Sequence, residues 1–162
     1  MLRTAVLECN GPVALRYPKG GDGIYQGSVW TDIVSVNSCI TIATYGTMIN
    51  EVLNAAEMLK ASGIIADIIK LDQIQPLNMN SVAGSVIKTD RLIFVEETAS
   101  SGSVGEAVLA ELMHMGMHPT AALMNLGDGI VPHGDLKSLR TVANIDANAI
   151  YERAKELMGH EK

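Results

Sequence analysis

The sequence predicts an α/β fold in which helices cover both faces of a parallel sheet. From residue 38 onward, β-branched apolar runs alternate with segments whose apolar residues recur at helical spacing. Such alternation favours a parallel sheet, because each helix serves as the crossover between two strands. Hydrophobic residues make up 48% of the chain and aromatic residues only 4%, so the core is predicted to be aliphatic.

Four strands are predicted as apolar runs bounded by polar residues or glycine, with helical segments between them. The strands are predicted at residues 40–45, 64–70, 91–96 and 120–126, and the helices at residues 47–62, 78–88 and 102–117. We expect Thr47 to cap the first helix and Gly63 to end it. Asp135 and Asp146 are expected to cap two shorter helices, the second of which runs to about Met158.

The charge balance and the cysteines narrow the possible functions. The net charge of −6 argues against a general nucleic-acid surface and against adhesion to anionic lipid. Cys9 and Cys39 lie apart without metal-binding spacing, so we expect two reduced thiols. No apolar run reaches the roughly 20 residues that span a bilayer, and Glu8 and Asn10 interrupt any signal-peptide core. We expect a cytoplasmic protein with no nucleic-acid or membrane partner.

The run Gly127-Asp128-Gly129 follows the fourth predicted strand and is similar to the start of a thiamine diphosphate motif, whose aspartate holds Mg²⁺. That motif also needs an asparagine farther along the chain than Asn144 and Asn148 lie. We therefore interpret residues 127–134 as a glycine-rich turn.

The loop from Glu96 to Gly105 opens a helix, and glycine-rich loops in this position are able to cradle an anion. However, Glu96 and Glu97 lie at its mouth, and no lysine or arginine occurs between Arg91 and Lys137. An autonomous phosphate pocket is therefore not expected. Adjacent residues that leave a strand point in opposite directions, so the two carboxylates are not expected to share one site. We interpret them as solvated loop or interface groups.

The histidines do not define a metal site. His114 and His118 lie four residues apart near a predicted helix end, a spacing that is able to hold zinc. The sequence offers no obvious third ligand, and a histidine at a helix C-terminus is stabilised by the helix dipole. We predict solvated histidines there, and no Ser/His/Asp or Cys/His constellation is indicated.

Residues 11–20, with the sequence GPVALRYPKG, are predicted to form the last strand of a preceding domain and its exit. Arg16 and Lys19 flank Tyr17-Pro18 at this exit, isolated from other basic residues. Arginine is suited to bidentate binding of phosphate, so both a surface role and phosphate binding remain open for these cations. Residues 21–37 are interpreted as an interdomain linker, because they are glycine-rich at first and lack periodicity.

Together these segments resemble the 1-deoxy-D-xylulose-5-phosphate synthase family, a transketolase-like group of thiamine diphosphate enzymes. The resemblance covers essentially the whole chain. It is carried by residues 1–4, 11–20, 43–47, 94–97, 131–134 and 145–147. Residues 11–20 and 131–134 are its specific parts. The other segments are shared with transketolases and the β subunits of 2-oxoacid dehydrogenases.

The resemblance implies a three-layer αβα sandwich whose mostly parallel sheet has about five strands, one of them antiparallel. It places residues 1–20 at the end of a pyrimidine-binding domain, residues 21–37 in a linker and residues 38–162 in a C-terminal domain that contributes to a homodimer. It also implies that Arg16, with Lys19 close behind, binds the substrate phosphate. Thiamine diphosphate and Mg²⁺ serve the parent enzyme through upstream residues, so neither is expected on this fragment alone.

The family's reaction joins decarboxylated pyruvate to glyceraldehyde 3-phosphate, and the product feeds isoprenoid and thiamine synthesis. Our interpretation is that this chain supplies structure, dimerisation and a phosphate contact. We expect it to be inactive without the upstream diphosphate- and pyrimidine-binding domains. The alternatives are a free-standing αβα interaction module, or the C-terminal part of a transketolase or of a 2-oxoacid dehydrogenase β subunit.

Overall fold

The computed structural model describes residues 2–17 and 32–159 of the chain. Its elements are, in chain order, α1 (Leu2–Leu7), β1 (Ile40–Tyr45), a 3₁₀ turn (Gly46–Met48), α2 (Ile49–Ala61), β2 (Ala66–Leu71), α3 (Asn80–Thr89), β3 (Arg91–Val95), α4 (Val104–His114), β4 (Thr120–Met124), α5 (Leu136–Val142) and α6 (Ala147–Gly159). The predicted alternation of strands and helices from residue 38 onward is confirmed.

The four strands form one parallel sheet in the order β2-β1-β3-β4. β1 lies in the interior of the sheet, where Ile42 is opposite Ile68 of β2 on one side and Ile93 of β3 on the other. The chain moves outward from β1 to β2, then crosses back to β3 and on to β4. The predicted parallel sheet is therefore confirmed.

Helices cover both faces of the sheet, and strand residues alternate between these two layers. On β3, Ile93 and Val95 belong to the cluster that includes α2 and α6, whereas Leu92 and Phe94 belong to the cluster that includes α3 and α4. All four side chains are fully buried. The predicted αβα sandwich is confirmed, and its buried core is aliphatic apart from Phe94.

Within residues 2–17 and 32–159, the sheet has four strands where about five were expected, and one antiparallel bridge lies beside its β2 edge. The backbone of Ile33 exchanges two hydrogen bonds with Ile68, with N–O distances of 3.0 and 2.8 Å. Asp32 accepts a hydrogen bond from the backbone N–H of Lys70 at 3.2 Å. The end of the segment interpreted as a linker therefore lies against the sheet, while residues 21–31 are outside the described part of the chain.

The strand predicted within residues 11–20 is wrong for residues 11–17. These residues are exposed, have no regular secondary structure and follow α1, a helix that the sequence analysis did not predict. A strand needs a neighbour that satisfies its backbone hydrogen bonds. Within the two described ranges, no strand pairs with this segment. Residues 18–20, which include Lys19, fall outside those ranges.

Of the four residues predicted to begin or end helices, Gly63, Asp135 and Asp146 are confirmed and Thr47 is not, and α4 ends at His114 rather than at the predicted residue 117. Gly63 follows α2 with a φ of +80°. Asp135 and Asp146 each accept a hydrogen bond from a backbone N–H three residues later, at 3.0 and 2.9 Å. The Thr47 hydroxyl instead accepts a hydrogen bond from Arg140 at 3.2 Å. α2 therefore begins after the 3₁₀ turn without a side-chain cap.

A buried carboxylate, Asp67, joins the segment before β1 to the sheet and to α3. Its side chain is completely buried. It accepts hydrogen bonds from the Ser35 backbone N–H at 2.9 Å, from the Ser85 hydroxyl at 2.6 Å and from the Ser38 hydroxyl. The Lys88 ammonium lies 2.7 Å from the same carboxylate. Burial alone raises the pKa of Asp67, but the hydrogen bonds from Lys88, Ser38, Ser85 and Ser35 outweigh it and hold the pKa below its ordinary value.

We predict that Asp67→Asn lowers the free energy of unfolding by about 2–4 kcal/mol at pH 7, because it removes a buried charge that its partners require. Since the folded-state pKa is lowered, this contribution is present above the unfolded-state pKa. It is lost as the pH falls through the folded-state value. Urea unfolding followed by circular dichroism should show the full difference at pH 7 and a smaller one below about pH 4.

The control for this prediction is Asp72→Asn, which removes an ion pair with Lys70 from a half-exposed carboxylate. Exposed pairs of this kind contribute about 0–1 kcal/mol. Equal losses in the two variants, or an Asp67 effect that does not change with pH, would contradict the account given for Asp67.

Candidate functional site

The loops that follow the strands meet at the carboxyl edge of the sheet, where open α/β folds bind ligands. Four segments form this edge: residues 46–48 after β1, residues 72–79 after β2, residues 96–103 after β3 and residues 125–135 after β4. Its ionisable side chains include several carboxylates, Tyr45 and His133, and α5 adds Lys137 and Arg140. Its chemistry therefore depends on which hydrogen-bond donors and cations contact these carboxylates.

Glu96, directly after β3, is completely buried. Its carboxylate accepts hydrogen bonds from the backbone N–H groups of Val104 and Gly105 at 3.1 and 2.9 Å, and from the Tyr45 hydroxyl at 3.1 Å. The interpretation of Glu96 as a solvated group is therefore wrong. Backbone N–H groups at a helix start attract anions. Here, the chain's own carboxylate takes the place that a bound phosphate would occupy at α4.

Gly105 makes this close contact possible. An added Cβ atom at this position would lie 2.8 Å from Glu96 Oε1, 2.9 Å from Leu123 Cδ2 and 3.1 Å from Phe94 Cδ1. The first two distances are shorter than real Cβ contacts, and the third is tighter than most. The glycine is therefore required so that α4 can pack on the end of β3 with the carboxylate between them.

Tyr45, at the end of β1, has a pKa raised to about 12. The largest cause is burial, and the charge and hydrogen bond of Glu96 add to it. The positive charge of Arg16 acts in the opposite direction. Arg16 therefore lies within electrostatic range of Tyr45, which brings this sequence-predicted residue toward the carboxyl edge.

Glu97 points away from Glu96, as the strand geometry predicted, and meets Arg140 of α5. The side chain of Arg140 is buried, and its Nη2 and Nε atoms lie 3.3 and 3.4 Å from the two carboxylate oxygens of Glu97. Its Nη1 lies 3.2 Å from Glu51 of α2, and its Nη2 donates to Thr47. One cation thus joins two loops and two helices.

The loop after β4 is fastened to the loop after β3. Asp128 accepts hydrogen bonds from the backbone N–H and the hydroxyl of Ser101, at 2.9 and 3.0 Å, and these hold the pKa of Asp128 below its ordinary value. Gly127 has a φ of +67°, which confirms a glycine-dependent turn. Asp128 thus has a structural partner in this chain.

The remaining sequence candidates lie at the surface. Arg16 and His133 are exposed, and Lys19 falls outside the described residues. The predicted solvation of His114 is confirmed: its side chain is 76% exposed, with Nδ1 3.8 Å from Glu111. Within residues 2–17 and 32–159, no group of three or more His, Cys, Asp or Glu side chains is arranged to hold a metal ion.

Sequence reasoning missed Arg140 and the burial of Glu96. The available signal was two adjacent carboxylates at a strand end without a nearby cation in the sequence. Such a pair needs donors from elsewhere in the fold. The partner of Glu97 lies 43 residues away in the chain, so no local pattern identified it.

Comparison with known protein families identifies the family of the chain. Residues 31–150 match the family model described as transketolase, C-terminal domain. The chain belongs to the transketolase C-terminal domain family. This match contains Tyr45, Glu96, Glu97 and Arg140, whereas Arg16 lies before it.

This transketolase C-terminal domain is similar to parts of longer enzymes. The 1-deoxy-D-xylulose-5-phosphate synthase of Heliobacterium modesticaldum is 32% identical over 165 residues, which cover 97% of this chain and 25% of that protein. The synthase of Caldanaerobacter subterraneus is 29% identical, over 91% of this chain and 26% of that protein. The pyruvate dehydrogenase E1 component subunit beta of Staphylococcus aureus is 32% identical, over 74% of this chain and 37% of that protein. The chain spans about a quarter of the synthases that it matches.

Solved structures share the fold. A split-gene transketolase, described as an inactive β4 tetramer, has a TM-score of 0.66 and 22% identity, over 76% of this chain and 40% of that chain. The R525L mutant of the transketolase from Pichia stipitis has a TM-score of 0.57 and 14% identity, over 80% of this chain and 18% of that chain. None of the helices in the described parts of this transketolase C-terminal domain is long and apolar enough to cross a membrane.

We predict that Gly105→Ala lowers the free energy of unfolding by about 1–3 kcal/mol, because the new methyl group displaces Glu96 and its apolar neighbours. The matched control is Gly84→Ala in α3, where an added Cβ has nothing within 4 Å. Alanine there should stabilise by up to about 1 kcal/mol through helix propensity. Urea unfolding measures both changes. An equal response of the two variants would contradict the packing argument for Gly105.

Proposed function

We propose that this chain is the C-terminal part of a 1-deoxy-D-xylulose-5-phosphate synthase and that Arg16 binds the phosphate of glyceraldehyde 3-phosphate. The observation that carries the proposal is the extent of the match to the Heliobacterium synthase, which covers 97% of the chain. Only about 3% of the chain lies outside this match, so the matched region includes the position of Arg16. The match to the pyruvate dehydrogenase β subunit covers 74% of the chain and supports this acceptor less.

The position of Arg16 supports this role. Its side chain is exposed, and its charge reaches Tyr45 at the carboxyl edge. The other arginine of this edge, Arg140, already binds two carboxylates. Glu96 already occupies the N–H groups at the start of α4. Arg16 is an exposed cation outside the sheet and its helices, and we assign the phosphate contact to it. Lys19 is the second candidate.

The residues described here do not fit thiamine diphosphate or Mg²⁺. Asp128 of the Gly-Asp-Gly run is exposed and accepts a hydrogen bond from Ser101, and the start of α4 holds Glu96. We therefore assign both cofactors of the parent enzyme to its upstream domains. This chain contributes structure, a homodimer contact and the phosphate contact, and it is inactive alone. Residues 1–20 then end the pyrimidine-binding domain, and residues 38–162 form the C-terminal domain.

A pyruvate dehydrogenase β subunit is the second candidate, because the Staphylococcus protein is as similar in identity over the part that it matches. The two proposals differ in the acceptor. A synthase uses a phosphorylated aldehyde and needs a phosphate-binding cation, whereas an E1 component does not use this aldehyde. The assay with glyceraldehyde 3-phosphate therefore distinguishes them.

To test the proposal, a chimera is made in which this chain replaces the matching quarter of the Heliobacterium synthase. The chimera and the chain alone are each supplied with pyruvate, glyceraldehyde 3-phosphate, thiamine diphosphate and Mg²⁺. We expect product from the chimera and none from the chain alone. Product from the chain alone would refute the proposed division of roles. A folded chimera that binds the coenzyme but makes no product would refute the synthase assignment.

In the active chimera, Arg16→Ala should raise the KM for glyceraldehyde 3-phosphate and leave the KM for pyruvate nearly unchanged. Loss of a charged hydrogen bond of about 1.5–3 kcal/mol corresponds to about a 10- to 150-fold rise. Arg3→Ala, which removes an exposed arginine of α1, is the control and should have no effect. If Arg16→Ala leaves this constant unchanged and Lys19→Ala raises it, the phosphate contact belongs to Lys19.

A further inference from the structure

Arg140 joins parts of the chain that are distant in sequence. Its guanidinium contacts the loop after β1 through Thr47, the loop after β3 through Glu97, and α2 through Glu51, all within 3.2–3.4 Å. The second carboxylate oxygen of Glu51 accepts a hydrogen bond from the backbone N–H of Ala147, at 3.1 Å. The start of α6 is therefore tied to the same cluster.

The cost of burying the Arg140 guanidinium favours the arrangement in which Glu51 and Glu97 both contact it. The Arg140 side chain is 9% exposed, whereas those of Glu51 and Glu97 are 20% and 32% exposed. A buried guanidinium is costly unless its donors are satisfied. The two carboxylates stabilise it together, Glu51 at Nη1 and Glu97 at Nη2 and Nε. Arginine suits this task because its planar group donates in several fixed directions, which a lysine ammonium does not reproduce.

The cluster acts at the point where β3 pairing ends. The Glu96 backbone N–H donates to Met124 at 2.9 Å, and β3 itself ends at Val95, one residue before. Glu96 and Glu97 share a peptide bond and point in opposite directions. A force that holds the Glu97 side chain on one face therefore also fixes the direction of Glu96 on the other face.

We propose that Arg140 is a positioning residue for the carboxyl edge of the sheet. By holding Glu97, it keeps the Glu96 carboxylate against the Tyr45 hydroxyl. The effect passes through the peptide bond from one helix layer to the other. This inference goes beyond the proposed synthase role and does not depend on it, because the Tyr45–Glu96 contact lies entirely within the described chain.

The test is the ionisation of the Tyr45 phenol in the full chain, followed by NMR of ¹³C-labelled tyrosine, with Tyr45→Phe to assign the signal among the four tyrosines. In Arg140→Met, Glu96 loses its fixed direction. The pKa of Tyr45 should then fall from about 12 toward its ordinary value, a rise in its ionisation constant of about tenfold. Loss of a positive charge by itself would raise this pKa. The sign of the shift therefore separates positioning from a direct charge effect.

Arg140→Lys keeps the charge but not the planar donor group, so we expect a smaller fall of the same sign. The matched control is Arg153→Met on α6, which removes an exposed arginine paired with Glu156 and should leave Tyr45 unchanged. Circular dichroism at each pH confirms that the variants are folded. An unchanged or raised pKa in folded Arg140→Met overturns the proposal. If that variant does not fold, the Arg140→Lys result decides by the same criterion.

A second measurement is made at neutral pH. Hydrogen exchange of the Gly105 amide reports the Glu96 contact on the far face of the sheet, and exchange of the Ala147 amide reports the local cluster. Positioning predicts faster exchange at both amides in Arg140→Lys. Faster exchange at Ala147 alone means that Arg140 holds only its own layer, and this result overturns the proposal.

Discussion

The architecture at the carboxyl edge depends on the alternation of side chains along a strand. At the end of β3, this alternation sends Glu96 to one face of the sheet and Glu97 to the other. Glu96 meets the start of α4, and Glu97 meets Arg140 of α5. Two adjacent carboxylates therefore fasten both helix layers to one strand end. The loop after β3 therefore needs no lysine or arginine of its own to stabilise its two carboxylates. This explains why no basic residue occurs between Arg91 and Lys137.

The same arrangement explains why the helix N-termini at this edge are not available to bind an anion. In many doubly wound folds, helix N-termini at this edge are available for anions. Here the start of α4 binds an internal carboxylate, and the start of α6 binds Glu51. The sheet and its helices are thus self-sufficient at the positions where an anion would otherwise bind. The phosphate contact that we propose is assigned to Arg16, which lies in a segment outside this framework.

The sequence was informative wherever structure follows from local pattern. The β-branched runs of β1 and β3 identified buried strands, and the aspartates before α5 and α6 identified helix starts. Strand geometry also predicted the divergence of Glu96 and Glu97. It did not predict the burial of Glu96, because this depends on Gly105 and Tyr45 from other elements. The run GPVALRYPKG predicted a strand within residues 11–20, but residues 11–17 form none, because strand formation requires a neighbour with which to pair.

The Asp67 contacts bear on where this domain begins as an independent folding unit. The alternation of strands and helices in the sequence places its start at residue 38. However, the buried Asp67 carboxylate accepts a hydrogen bond from the backbone N–H of Ser35, and Ile33 pairs with Ile68 of β2. A shorter polypeptide cut at residue 38 would keep the acidic group in the interior and remove one of its donors. The edge of β2 would also lose its cover. The smallest autonomous version of this domain therefore includes the residues from about 32 onward, although by composition they belong to the connection that precedes it.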